Sequence, residues 1–289
     1  MRAWAQSKGV PYYLLGPGML WLVIFFVLPM AFMFSVSLYE GSLDTDFQMT
    51  WHFANFTDAI STYDTQFVRS FIYAGVATLL CLLIAYPLAY TIAFKAGKYR
   101  TVLLLAVIAP FFVTYLIRTY AWQTILSNDG TVVNVFQALH IIPGDGRILK
   151  TPAAVISGLT YNFLPFMILP IYASLEQMDT RLIEAARDLY SDSRTAFFRV
   201  TLPISAPGVV AGTLLTFIPA VGDYVNATFL GSTNQSMIGN VIQGQYLNTK
   251  DYPTASALSF IMMALIVGAV AIYIRFAGSE SLMGEETAR

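Results

Sequence analysis

Six apolar stretches, each long enough to cross a bilayer, succeed one another along the chain: about 14–38, 71–94, 101–126, 152–175, 204–230 and 253–274. A helix needs about 20 mostly apolar residues to traverse the hydrocarbon core. Four of the stretches hold no charged residue, the third holds only Arg118, and the fifth only Asp223. The pattern predicts an all-α membrane protein of six transmembrane helices, a single transmembrane domain over 1–289. Eight of the 13 prolines fall in the span interiors (Pro17, Pro29, Pro87, Pro110, Pro165, Pro170, Pro207, Pro219). Neighbouring helices and waters re-satisfy the carbonyls that proline frees, so this density predicts kinked helices around a cavity.

Composition agrees. Hydrophobic residues make up 56% of the 289, charged residues only 11%, and mean hydropathy is +0.61. A soluble domain carries roughly 25% charged residues, so the soluble, disordered and disulfide-stapled classes are excluded. A net charge of −1 leaves no electrostatic footprint for nucleic acid. The one cysteine, Cys81, sits among leucines and offers neither a disulfide nor a thiolate metal site.

The basic residues set an orientation. With a cytoplasmic amino terminus, 11 Lys and Arg fall inside (Arg2, Lys8, Lys95, Lys98, Arg100, Arg181, Arg187, Arg194, Arg199, Arg275, Arg289) and 4 outside (Arg69, Arg147, Lys150, Lys250). The bias predicts both termini in the cytoplasm. Arg2 and Lys8 precede the first stretch as in a signal peptide, but its length and Pro29 predict a retained helix.

Catalytic constellations are missing. His52 and His140 lie in outer loops with no Glu or Cys at ligand spacing, so no zinc site is expected. Only Asp223 is an acid within a span, which leaves no pair for intramembrane hydrolysis. Gly97-Lys98 is followed by Tyr99 and lacks the upstream glycine of a phosphate-binding loop. Any ATP that drives transport is hydrolysed by another chain.

The inner loop 176–203 carries the most information. Leu182, Ala185, Ala186 and Leu189 recur at helical spacing, with Arg181, Glu184, Arg187 and Asp188 between them. Asp179 or Thr180 suits the amino-terminal cap. Ser191 suits the cap of a second short helix showing Phe197, Phe198 and Val200. Two readings of this helix-turn-helix stand: docking into a partner's groove, or lying on lipid headgroups.

Glu184-Ala185-Ala186, then position 190, then Val200 and Leu202-Pro203, resemble the EAA loop of binding-protein-dependent ABC importer permeases. The segments 164–176, 217–224 and Tyr115–Trp122 extend the likeness toward the first permease subunit of spermidine/putrescine importers, over residues 12–275 or so. The resemblance implies the type I ABC importer permease fold with cytoplasmic coupling helices, in the bacterial inner membrane. It implies that Glu184, Ala185, Ala186, Tyr190, Val200, Leu202 and Pro203 couple to a separate ATPase dimer. That dimer binds the ATP and Mg; this chain has no cofactor of its own. The resemblance further implies a second permease subunit, forming a heterodimer with this chain, and an extracytoplasmic substrate-binding protein. One position departs: the family usually has glycine where this chain has Tyr190, and a left-handed turn there costs tyrosine about 1–2 kcal/mol.

The implied cargo is a polyamine, with another small organic solute such as an opine or aminophosphonate as the alternative. From a different class stands a self-contained secondary transporter or channel, which usually needs several intramembrane charges. Within the fifth span, Asp223 shares a face with Gly212, Thr216, Pro219 and Asn226. It reads as a cavity-wall acid for a cation, with Tyr224 offering a π face, as the partner of a basic group such as Arg118, or as an acid at the outer interface. Tyr161 and Asn162 read as pathway lining or as helix-packing contacts, and Arg118 as snorkelling to headgroups. The acids of the outer loop 39–64 read as a receptor contact or a solvated face.

Overall fold

The structure is a computed structural model and describes residues 10–42, 45–140, 143, 146–179, 181–182, 184 and 192–277. Among the described residues five helices are long and apolar enough to cross a membrane, and a sharply bent helix pair reaches the same length and hydropathy as a broken span or a re-entrant loop. The chain packs as two compact units, residues 1–63 with 242–263 and residues 64–241 with 264–289.

In the first unit, α1 (Val10–Leu22) runs through one π turn (Val23–Val27) into α2 (Leu28–Ser37). Pro29 stands in the first turn of α2, and the widened turn before it accommodates the ring and its missing N–H. Trp21, Phe25, Phe26 and Phe32 are all exposed, so this helix presents apolar side chains outward along its length. A two-residue hairpin follows, β1 (Tyr39–Glu40) antiparallel to β2 (Gln48–Met49), with Tyr39 opposite Met49. The Asn55 side-chain amide donates to the carbonyls of Ser37 and Tyr39, 2.9 Å each, and satisfies the orphan carbonyls at the end of α2. Asn55 opens α3 (Ala54–Phe94), which leaves helical geometry at Tyr63 (φ −120°, ψ 20°). Phe34 packs edge-on against Phe260, and Phe47 and Tyr246 both meet Tyr252.

The second unit holds the rest of α3, then α4 (Arg100–Ile108), α5 (Tyr115–Ile125), α6 (Thr131–Ala138) and α7 (Pro152–Glu176). After the inner loop come α8 (Ser193–Ala196), α9 (Leu202–Val221), α10 (Val225–Leu230) and the start of α11 (Ile238–Gly244), which runs on into the first unit; α12 (Tyr252–Ala277) begins in the first unit and enters the second at residue 264. Its core is a seam between α3 and α7. Cys81, Ala85, Tyr86, Ala89 and Ile92 pack on Met167, Ile168, Ile171, Tyr172 and Leu175. Helices α7 and α9 approach closely because Gly208 and Gly212 carry no side chain. A Cβ on Gly208 would lie 2.5 Å from the Pro170 carbonyl oxygen, and one on Gly212 would lie 2.9 Å from Met167 Sδ. Small residues four apart are the usual device for such contact within a membrane.

Two expected continuous spans are broken. The stretch 101–126 bends by 96° between the segments Gly97–Phe112 and Tyr115–Ile125. Pro110 turns the chain into a 3-10 segment (Ala109–Phe112), and Val113 is fully extended (φ −101°, ψ 135°). The stretch 204–230 stops at Val221, two residues past Pro219, and restarts as α10 after Gly222-Asp223-Tyr224. Each break follows a proline within a few residues, and Pro110 and Pro219 each leave the carbonyl four residues earlier without its helical donor, which weakens the ladder just before the break.

Candidate functional site: a buried polar cluster at two helix breaks

The two broken helices meet, and their polar side chains meet with them. Asp223 sits in the gap between α9 and α10, where its Oδ1 accepts the Asn226 N–H at 2.8 Å and so caps the short helix. Its Oδ2 accepts the hydroxyl of Tyr115, the first residue of α5. The Asn226 side-chain amide donates to that same tyrosine oxygen at 2.6 Å. Asn162, on α7, donates to Asn226 Oδ1 at 3.1 Å and lies 3.4 Å from the Thr119 hydroxyl. Thr119, Asn162, Asp223 and Asn226 are all buried. Gly158, one turn before Asn162, leaves the room for this: a Cβ there would stand 2.6 Å from Asn226 Oδ1 and 2.3 Å from Leu230 Cδ1.

Arg118 borders the cluster and is only 8% exposed. Its guanidinium lies 5.5 Å from the Phe111 ring centre and 5.6 Å from that of Tyr115, within cation–π range. The Nε and Nη1 atoms are buried without a hydrogen-bond partner. Among the described residues no ion pair joins Arg118 to Asp223; Tyr115 stands between their roles, its hydroxyl on the acid and its ring under the cation. The snorkelling and pairing readings of Arg118 are therefore both corrected.

Of the expected pathway residues the structure gathers Asp223, Asn162 and Asn226. Tyr224 is exposed, and its carbonyl, not its ring, is engaged, accepting from Asn240 Nδ2 at 2.9 Å. Tyr161 turns to the other side of α7, where its ring meets Trp122 and lines an apolar cavity of about 290 Å³ with Leu88, Ile92, Pro110 and Ile168. Pro219 is exposed and leaves the expected stripe, while Gly212 and Thr216 stay buried in it. Tyr115 and Thr119 were not expected in the cluster. Their spacing of four, on one helix face beside Arg118, is the signal that points to them. Among the described residues no group of His, Cys, Asp and Glu is placed to hold a metal ion.

On the inner loop, Ala185, Ala186, Tyr190 and the expected cap Ser191 lie outside the described residues, as does Thr180. Glu184 is exposed. Asp179 Oδ1 accepts the Arg181 N–H at 3.0 Å and caps the first helix. Asp192 Oδ1 takes the Thr195 N–H at 2.9 Å, and bonds from the Thr195 side chain and backbone hold its carboxyl below the usual range. Val200 is half-buried in a π turn (Phe197–Thr201), Leu202 packs on the core, and Pro203 is exposed. Phe197 is wedged edge-on between Tyr86 and Tyr90 of α3, whereas Phe198 is exposed.

Residues 8–277 match the family described as the binding-protein-dependent transport system inner membrane component. The chain belongs to this family. The permease is 38% identical over 258 residues to a spermidine/putrescine transport system permease protein of Haemophilus influenzae, covering 88% of this chain and 90% of that one. It is 36% identical over 249 residues to the protein of the same description from Escherichia coli K12, covering 86% and 90%. In fold it is similar to a chain of a bacterial ABC transporter that imports alginate, with a TM-score of 0.69 at 19% identity and 96% of this chain covered. A chain of the methionine ABC transporter gives a TM-score of 0.55 over 74% of this chain at 20% identity. The fold is thus that of ABC importer permeases.

Proposed function

We propose that this permease is a transmembrane subunit of an ATP-driven importer of polyamines, spermidine or putrescine. The observation that carries the reading is the 38% and 36% identity, over nearly nine-tenths of the chain, to two permeases of spermidine/putrescine systems. It lies in the inner membrane with both termini cytoplasmic, pairs with a second permease subunit, and receives cargo from an extracytoplasmic binding protein. A separate ATPase dimer binds ATP and Mg and docks on the loop 176–203. Glu184, exposed on that loop, together with Ala185, Ala186, Tyr190, Val200 and Pro203, forms the contact; Leu202 holds the loop to the core.

The buried cluster supplies the cargo chemistry. A polyamine ammonium entering an apolar pathway loses hydration, and a carboxylate offsets part of that cost. Asp223 is the acid placed for this, with Asn162 and Asn226 as neutral hydrogen-bonding neighbours. A single acid holds the cation without trapping it.

The test is reconstitution of this chain with its second permease subunit and ATPase in proteoliposomes, given the cognate receptor and radiolabelled spermidine or putrescine. ATP-dependent accumulation, and none by this chain alone, is the expected result. Uptake by this chain alone without ATP would make it a self-contained transporter; ATP-dependent uptake of a different solute only would overturn the polyamine assignment.

A further inference from the structure

The Tyr115 hydroxyl sits where a cargo ammonium would go. Asp223 Oδ1 is committed to capping α10, so Oδ2 is the oxygen free to meet a ligand, and Tyr115 occupies it. The tyrosine also bridges the two breaks, since it opens α5 after the bend and Asp223 precedes α10 in the other gap. We propose that Tyr115 is a latch on the transmembrane site: its hydroxyl closes Asp223 and ties α5 to α10, and an arriving ammonium group displaces it. The inference rests on the reading of Asp223 as the cation contact.

The exchange trades a neutral donor for a charged one. An ammonium–carboxylate hydrogen bond is roughly twice as strong as one from a neutral hydroxyl. The displaced tyrosine oxygen keeps the Asn226 side-chain amide as a donor at 2.6 Å, while its O–H gives up the carboxylate as acceptor. The ring remains against the Arg118 guanidinium, which holds Tyr115 beside the site while its hydroxyl moves off. What is lost is the bond from α5 to Asp223 in the gap between α9 and α10; the bond from Asn226, on α10, remains. Cargo binding thus removes one of the two Tyr115 links between the broken helices, and an empty site keeps both. Tyr115 thus acts as a positioning residue for Asp223.

The test uses the whole importer in proteoliposomes and reads ATP hydrolysis with and without polyamine-loaded receptor. Tyr115→Phe keeps the ring and removes only the hydroxyl. It removes both the bond to Asp223 and the bond from Asn226, and each lost buried hydrogen bond shifts a two-state equilibrium about five-fold, so it should raise hydrolysis in the absence of receptor by roughly 25-fold, and loaded receptor should add little more. Tyr120→Phe, an exposed tyrosine on the same helix, is the control and should behave as wild type. Wild-type basal and stimulated rates in Tyr115→Phe would overturn the latch. Failure of that variant to assemble, followed by gel filtration, would also overturn it, by making the hydroxyl a structural brace. Asp223→Asn separates the two proposals: wild-type polyamine uptake in that variant would remove Asp223 from the cargo path, whatever Tyr115→Phe does.

Discussion

At the scale of single residues, the polar side chains within apolar runs are what the sequence exposes. Asp223, Asn162 and Asn226 stand out because each is costly in a membrane unless it finds a partner, and the three are joined by hydrogen bonds. Tyr115 is harder to read, as one of 17 tyrosines whose ring is at home in an apolar segment. Only its hydroxyl's partner distinguishes it, and that partner is 108 residues away. Tyr224 misleads for the opposite reason: adjacency to Asp223 suggests a shared site, but the break in the helix turns its ring outward. Asn162 is the junction through which α7 holds both Asn226 and Thr119. Asn162→Leu keeps the branching at Cγ and removes both links, so it should destabilise the permease by about 1–2 kcal/mol. A lowered midpoint in thermal unfolding of the detergent-solubilised complex would show it; an unchanged midpoint would mean the cluster adds no stability.

At the scale of elements, hydropathy discloses where apolar chain runs but not whether it runs straight. The stretches 101–126 and 204–230 read as rods because every residue from Val102 to Val113 is apolar and Pro219 looks like other span prolines. Pro87 sits inside α3 without ending it, and Pro165 and Pro170 lie inside α7. Whether proline bends or breaks depends on what can replace its lost hydrogen bond, which is a tertiary matter. Packing through glycine is more legible. Gly208-Val209-Val210-Ala211-Gly212 is a small-residue repeat, and it is where α9 meets α7. Gly208→Val would push a side chain against backbone, 2.5 Å from the Pro170 oxygen, and overpacking of this kind costs about 1–3 kcal/mol. The yield of folded, membrane-extracted protein should fall sharply, while Gly268→Ala on α12, whose Cβ meets nothing within 4 Å, should match wild type.

At the scale of the whole molecule, the proposed docking of an ATPase on the inner loop raises the question of how the loop is linked to the buried cluster. The second unit grips the loop at both ends. On the far side, Phe197 is held between Tyr86 and Tyr90, and Ser205, just inside α9, shares a 2.7 Å hydrogen bond with the Tyr86 hydroxyl. On the near side, Glu176, the last residue of α7, pairs with Arg100, the first residue of α4; the Arg100 Nε also donates to the Tyr172 hydroxyl. The same guanidinium lies 5.1 Å from the centre of the Tyr172 ring. Arg100 and Glu176 are both partly exposed, so the pair adds little to stability. Its value is directional. It fixes the start of the bent helix pair to the place where the loop leaves α7, and that pair carries Tyr115 at its bend, bonded to Asp223. Arg100→Glu should therefore leave the complex assembled yet cut receptor-stimulated ATP hydrolysis and uptake, because loop movement no longer carries α4. Exchanging the charges, Arg100→Glu with Glu176→Arg, should restore much of the coupling. If the double variant is as impaired as the single one, the pair does not transmit, and the Phe197 side alone links the loop to the span bundle.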